Sequence, residues 1–197
     1  MINSIAIYCG SALGEEPIYA EQAAKMGKMI AQRGQVLVYG GGRSGLMGIV
    51  ADHALQAGGR VIGVMPTLLV DQELAHPELT ELHIVETMQQ RKLKMSELAD
   101  GFIALPGGAG TLEEIFEQWT WAQLAIHSKP CGFLNTAHFY TPLLQFLQHS
   151  VKAGFTHQRF VDKLIVSHDV ADILQQFDHY VPPLAKWKLA TDAVEEK

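Results

Sequence analysis

Residues 105 to 114, LPGGAGTLEE, set three glycines at an expected helix start and follow them with two adjacent glutamates. Glycines let backbone N–H groups approach an anion, and a helix N-terminus adds free donors and a favourable dipole, so the turn suits a phosphate. Glu113 and Glu114 oppose that use, because carboxylates repel a phosphate beside them. The conflict resolves if one carboxylate is needed next to the phosphate without bonding to it. Successive helical residues point about 100° apart, so only one of the pair need face the pocket. A 5′-phosphorylated sugar fits this arrangement. Its phosphate occupies the turn, and its ring reaches a carboxylate that steadies positive charge developing on the sugar or takes a proton from attacking water. Helix signals alone favour a plainer account, in which Thr111 is an N-cap and Glu114 its N3 partner in a T-x-x-E capping box.

A second glycine-rich turn, YGGGRSGLMG, places Gly40, Gly42 and Gly45 in G-x-G-x-x-G spacing between an expected strand and an expected helix. The next strand ends in Met65 and Pro66, not in the acidic residue that would hold a ribose hydroxyl, which argues against a nicotinamide or flavin dinucleotide. Leu46 and Met47 stand where a P-loop needs Lys and Ser or Thr. What survives is a bed for one phosphate or a tight strand-to-helix turn with no ligand.

The elements that must position these turns alternate along the chain. Short apolar runs (SIAIYCG, QVLVYGGG, RVIGVMP, LHIVE, GFIALPGG, PCGFLN, KLIVS) are separated by longer amphipathic segments, among them PIYAEQAAKMGKMIAQRG, MQQRKLKMSELAD and TLEEIFEQWTWAQLAIH. That rhythm predicts a doubly wound, Rossmann-like α/β fold with a parallel sheet buried on both faces, in which ligands bind where strands end and helices begin. The 197 residues suffice for one core, so a single domain is expected over 1–181, with a polar tail at 182–197 that frays or forms a surface helix.

The net charge of −6 gives no global positive field for a nucleic-acid polymer. Cys9 and Cys131 sit beside glycines in apolar runs, as buried free thiols do, which points to a reducing compartment. No basic-then-apolar leader or long apolar run is present, so a soluble cytoplasmic protein with no membrane partner is expected. The nine histidines form no H-x-x-x-H and no metal-ligand spacing with the cysteines, so no metal is expected.

GGGxxGLMG at 40–48, M-x-x-R-K at 88–92 and PGGxGTxxE at 106–114, in that order, resemble the LONELY GUY family of cytokinin riboside 5′-monophosphate phosphoribohydrolases. The likeness runs from the YCGS opening to about residue 156, and many members carry the label "lysine decarboxylase". The resemblance implies hydrolysis of the N-glycosidic bond of AMP or an N6-substituted adenosine 5′-monophosphate, releasing base and ribose 5-phosphate, with no metal or organic cofactor. It assigns catalysis to Arg91 and Glu114, and substrate binding to Gly41, Gly42, Gly45, Met88, Lys92, Gly107, Gly108, Gly110 and Thr111. Arg91 serves in positioning and charge stabilisation, since a guanidinium does not give up its proton. It also favours a homodimer through the helix carrying Ile115, Phe116, Trp119, Trp121, Leu124 and Ile126, a segment that on its own pattern is a buried core helix. Two departures stand out. Gln89 replaces a common His and cannot take up a proton near neutral pH, which bears on base preference; Ser44 replaces a common Val. A decarboxylase would need a cofactor-bound lysine that no motif identifies. The alternative from another class is a non-catalytic nucleotide or molybdenum-cofactor carrier on the same scaffold.

Overall fold

A computed structural model describes residues 2–72 and 74–185. Seven strands run in the order expected from the apolar segments: β1 (Ser4–Tyr8), β2 (Val36–Tyr39), β3 (Val61–Pro66), β4 (Glu81–Val85), β5 (Gly101–Ala104), β6 (Cys131–Leu134) and β7 (Ile165–Ser167). All neighbours pair in parallel, in the spatial order β4-β3-β2-β1-β5-β6-β7. The helices are α1 (Pro17–Gln32), α2 (Gly45–Gln56), the single turn α3 (Thr67–Val70), α4 (Met88–Leu98), α5 (Ala109–Gln123), α6 (Thr141–Lys152), the short α7 (Gln158–Val161) and α8 (Val170–Asp178).

The two-residue period of a strand divides the core into two layers. Ile5, Ile7, Leu37, Tyr39 and Ile103 pack with α1, α2 and α8 on one face. Ala6, Tyr8, Val38, Phe102 and Phe133 pack with Met95 of α4, Ile115 and Trp119 of α5 and Leu147 of α6 on the other. The expectation of strands buried on both faces holds for β1, β2, β3, β5 and β6. The edge strand β4 differs: it is only half-buried, and Ile84 is 57% exposed because one flank has no neighbour.

The order of strands fixes where a site can form. The chain winds outward from β1 to β4, returns to lay β5 against the other side of β1, and winds outward again to β7. The carboxyl ends of β1 and β5 therefore flank the point where the winding reverses, where the two departing loops diverge and leave a crevice.

Two helix boundaries differ from the sequence pattern. Helix α5 starts at Ala109 with Gly108 as its N-cap, so Thr111 is its third residue and Glu114 its sixth; no capping box involves them. Thr111 is buried against Gly107, where a Cβ would come 2.1 Å from its Oγ1, and a side chain packed there cannot turn back to cap. The same helix stops at Gln123, short of His127, because Ala125 takes a positive φ. The predicted tail lies, from 186 onward, outside the described residues. Among the described residues no helix is long and apolar enough to cross a membrane.

Candidate active site

A cleft of about 400 Å³ opens at the reversal point, walled by Cys9, Gly10 and Ser11 after β1, by Met47 on α2, by Met88 and Arg91 on α4, and by Gly108, Ala109, Gly110, Thr111, Glu113 and Glu114 at the start of α5. Its floor is locked by main-chain bonds: Leu105 N–H donates to Tyr8 O at 2.9 Å, and Gly10 N–H to Pro106 O at 3.0 Å. The buried Tyr140 hydroxyl holds the turn after β5 from outside by donating to Leu105 O at 2.6 Å.

The first turn of α5 offers its backbone donors to this cleft. Gly108 caps the helix with no side-chain hydrogen bond, which leaves the N–H groups of Ala109, Gly110 and Thr111 without a helical acceptor. A Cβ at Gly108 or Gly110 would meet nothing within 4 Å, so both present bare main chain to open space. An anion of phosphate size is the natural partner of such a terminus.

Helix α4 delivers Arg91. Thr87 caps this helix through a complete capping box with Gln90: the Thr87 hydroxyl accepts from Gln90 N–H at 3.1 Å, and the Gln90 side chain accepts from Thr87 N–H at 3.2 Å. The cap fixes the turn that carries Arg91, whose guanidinium is buried and saturated on one side. Nε donates to Val64 O at 3.0 Å, Nη2 to Gly40 O at 3.1 Å, and Nη1 to Met88 Sδ at 3.8 Å. Nη1 also faces Glu114 Oε1 at 3.9 Å, both side chains being 11% exposed. Gly40 is glycine for this reason: a Cβ there would fall 1.7 Å from Arg91 Nη2.

Burial pushes the Glu114 carboxyl up to about 7; Arg91 opposes this, Glu113 adds to it, and Lys92 and Glu117 contribute opposing smaller effects. Near neutral pH the group is divided between acid and carboxylate, which suits proton transfer. Glu113 behaves differently, as expected for its neighbour on a helix. It stands 56% exposed at the rim and pairs with Lys92. Burial drives the thiol of Cys9 and the hydroxyl of Tyr8 far above their ordinary ranges, so both stay neutral.

The residues picked from the sequence divide into two groups. Met88, Arg91, Gly108, Gly110, Thr111 and Glu114 meet in the cleft. Gly107 lies in the adjoining hollow formed with Tyr19, Leu46 and Phe139. Gly41, Gly42 and Gly45 do not line the cleft: Gly41 abuts Met65 and Leu82, Gly42 abuts Met47, and Gly45, at φ +60, packs on the main chain of Ser11. Lys92 also faces away, into ion pairs with Glu113 and Glu117. Gln89 is exposed. Cys9, Gly10 and Ser11 were not singled out by spacing; their signal is that they follow the strand that ends up central. Among the described residues no group of three or more His, Cys, Asp or Glu side chains could hold a metal.

A family model described as "Possible lysine decarboxylase" matches residues 47–177. A protein from Rhodococcoides fascians named cytokinin riboside 5′-monophosphate phosphoribohydrolase is 46% identical over 169 residues, 85% of each chain. A protein from Oryza sativa subsp. japonica with the same name and the suffix LOG is 45% identical over 179 residues, 90% of this chain and 74% of its own. Among solved structures, the Moco carrier protein from Chlamydomonas reinhardtii matches with a TM-score of 0.69 at 21% identity, over 91% of this chain and 97% of that one. At that identity the likeness concerns the fold.

Proposed function

We propose, because the chain belongs to the LONELY GUY family of cytokinin riboside 5′-monophosphate phosphoribohydrolases, that it hydrolyses the N-glycosidic bond of N6-substituted adenosine 5′-monophosphates and of AMP. The observation that carries this reading is the buried pair of Arg91 and Glu114, 3.9 Å apart, beside an uncapped helix start. The 5′-phosphate sits on the N–H groups of Ala109, Gly110 and Thr111, which places the ribose over Glu114. As the bond from C1′ to the base nitrogen breaks, its electron pair leaves with the base, and positive charge grows on C1′ and the ring oxygen. The Glu114 carboxylate stabilises that charge and accepts a proton from the water whose oxygen bonds to C1′, and this proton balances the one that the departing base nitrogen takes up to leave as free base. Arg91, fixed by Val64 O and Gly40 O, holds this carboxylate in place and keeps part of it ionised.

The decarboxylase description finds no support at Lys92, the lysine next to Arg91. Lys92 is held in the charged form, chiefly by its hydrogen bond to Glu113, and a protonated amine cannot form a Schiff base.

We read the chain further as a single cytoplasmic domain that forms a homodimer. Ile115 and Trp119 of α5 are in the core, but Phe116, Trp121 and Leu124 are half-buried and Ile126 is 63% exposed, an apolar strip that a second copy would cover. Light scattering of the purified protein tests this, and a monomer at micromolar concentration would exclude it.

The activity is tested by incubating the protein, without added metal, with AMP, with isopentenyladenosine 5′-monophosphate and with adenosine, and following free base by chromatography. Release from the monophosphates but not from adenosine is expected. Tight binding of a monophosphate with no release would replace the enzyme by a carrier.

A further inference from the structure

Lys92 follows Arg91 directly, yet its ammonium does not enter the cleft. It is 11% exposed and hydrogen-bonds Glu113 and Glu117, the latter at 3.0 Å. The two acceptors are four residues apart on α5, hence on one helical face, and Glu114, about 100° around the helix from Glu113, projects to one side of that face. Helices α4 and α5 arise on opposite sides of the reversal point, and Arg91 and Glu114 are contributed one by each. Their 3.9 Å separation is not maintained by a direct tight hydrogen bond between them. Lys92 supplies two closer charged contacts between the same two helices, which are also joined by the buried hydrogen bond from Ser96 Oγ to Gln118 Oε1 at 2.8 Å.

We propose that Lys92 is a positioning residue for the reaction: by gripping Glu113 and Glu117 it sets the seating of α5 against α4, and through it the distance and orientation of Glu114 relative to Arg91. The inference rests on the hydrolase reading above. The charged and titratable groups around Glu114 are Arg91 and Lys92 from α4, Glu113 and Glu117 on its own helix, and the neutral Tyr8 and Cys9 from β1 and the turn after it. Lys92 lowers the proton affinity of Glu114 and the two flanking glutamates raise it, so the clasp is also a charge balance.

The test compares Lys92→Met, Lys92→Arg and Glu117→Gln with the wild-type protein by two measurements. The first is kcat and KM for a nucleoside 5′-monophosphate across pH; the second is the titration of the Glu114 carboxyl by NMR with ¹³C at the side-chain carboxyl of glutamate, assigned by its absence in Glu114→Gln. Lys92→Met is expected to lower kcat by roughly 10²-fold, the effect of misplacing a reacting group by about 1 Å, with KM nearly unchanged. Its Glu114 midpoint moves upward. Glu117→Gln, which removes a carboxylate and not the lysine, moves the midpoint downward, and Lys92→Arg restores it towards the wild-type value. A higher KM at unchanged kcat in Lys92→Met would make Lys92 a substrate contact and overturn the proposal, as would an unmoved midpoint and an unmoved kcat. If Lys92→Met does not fold, the opposite shift in Glu117→Gln and the retained midpoint in Lys92→Arg still decide. The NMR midpoints need no turnover: an inactive wild-type protein would sink the hydrolase reading, while the midpoints would still judge the clasp.

Discussion

Replacing Glu114 by Gln removes the carboxylate and is expected to stabilise the fold, in a way that depends on pH. In the unfolded chain the carboxyl titrates near its ordinary 4.5, and in the fold it is pushed up to about 7. Below the lower value both states carry the proton and the group contributes nothing. Between the two values the unfolded state ionises first, so stability falls as pH rises, and above about 7 the full cost is present. At about 1.4 kcal/mol per pH unit this cost approaches roughly 3 kcal/mol at pH 8 and is only a few tenths at pH 4.5. Glutamine has nearly the same shape and no charge to bury. The attraction of Arg91 is already contained in the value of about 7, so the expected gain at pH 8 is the whole of this, about 3 kcal/mol. Urea denaturation of both proteins at pH 8 and pH 4.5 reads the difference directly, and base release in parallel should be abolished in the variant. A variant less stable than the wild type at pH 8, or one whose gain is the same at both pH values, would refute the view that Glu114 is held in an unfavourable, functionally useful environment. A folded variant that still releases base would refute its place in the chemistry.

Three further outcomes are expected. If the ionised form of Glu114 is the working form, kcat/KM should rise with pH through about 7 and level off above it, measured between pH 5 and 9; a limb near the ordinary carboxyl value would exclude this. Gly40→Ala puts a methyl group where Arg91 Nη2 now lies, so the guanidinium must move, with a loss of about 1–3 kcal/mol in urea denaturation and at least about 10²-fold in kcat/KM. Thr87→Ala breaks the capping box at the start of α4 and should cost about 1 kcal/mol in stability, checked by the same denaturation series, with a smaller effect on turnover than Gly40→Ala.

The fold was legible because its signal is redundant. Seven apolar runs separated by long amphipathic segments admit little besides a parallel doubly wound sheet, and a misjudged boundary at one helix changes nothing elsewhere. Met88, Arg91 and Glu114 were legible through motif resemblance. The glycine-rich turn at 40–45 misled in an instructive manner: glycine spacing reports close approach of something to the main chain, but not what approaches, and at Gly40 it is the Arg91 side chain. Thr111 misled because T-x-x-E is satisfied by any helix that happens to carry those residues in its first turns, whereas this helix takes Gly108 as its N-cap, three residues before the threonine. The functioning cap is at Thr87 and Gln90, where the same kind of spacing does coincide with a helix start. Lys92 shows the limit most clearly. Its acceptors, 21 and 25 residues later, are on another helix, and no local pattern tells a lysine that reaches a ligand from one that reaches a neighbouring helix.

The reversal of winding between β1 and β5 has a consequence for the order in which the protein becomes competent. Arg91 is anchored by carbonyls of β3 and of the turn after β2, 27 and 51 residues away, all within the outward-wound first half. Glu114 rides on the first helix of the second half and reaches its place only when β5 has inserted beside β1. Neither half alone holds both members of the pair. In refolding, sheet and helix signals from the first half can therefore recover before any activity returns, and a chain cut between α4 and β5 could regain function only by recombination of its two pieces. The seam makes catalysis a report on complete assembly, so an incompletely folded chain is a silent one.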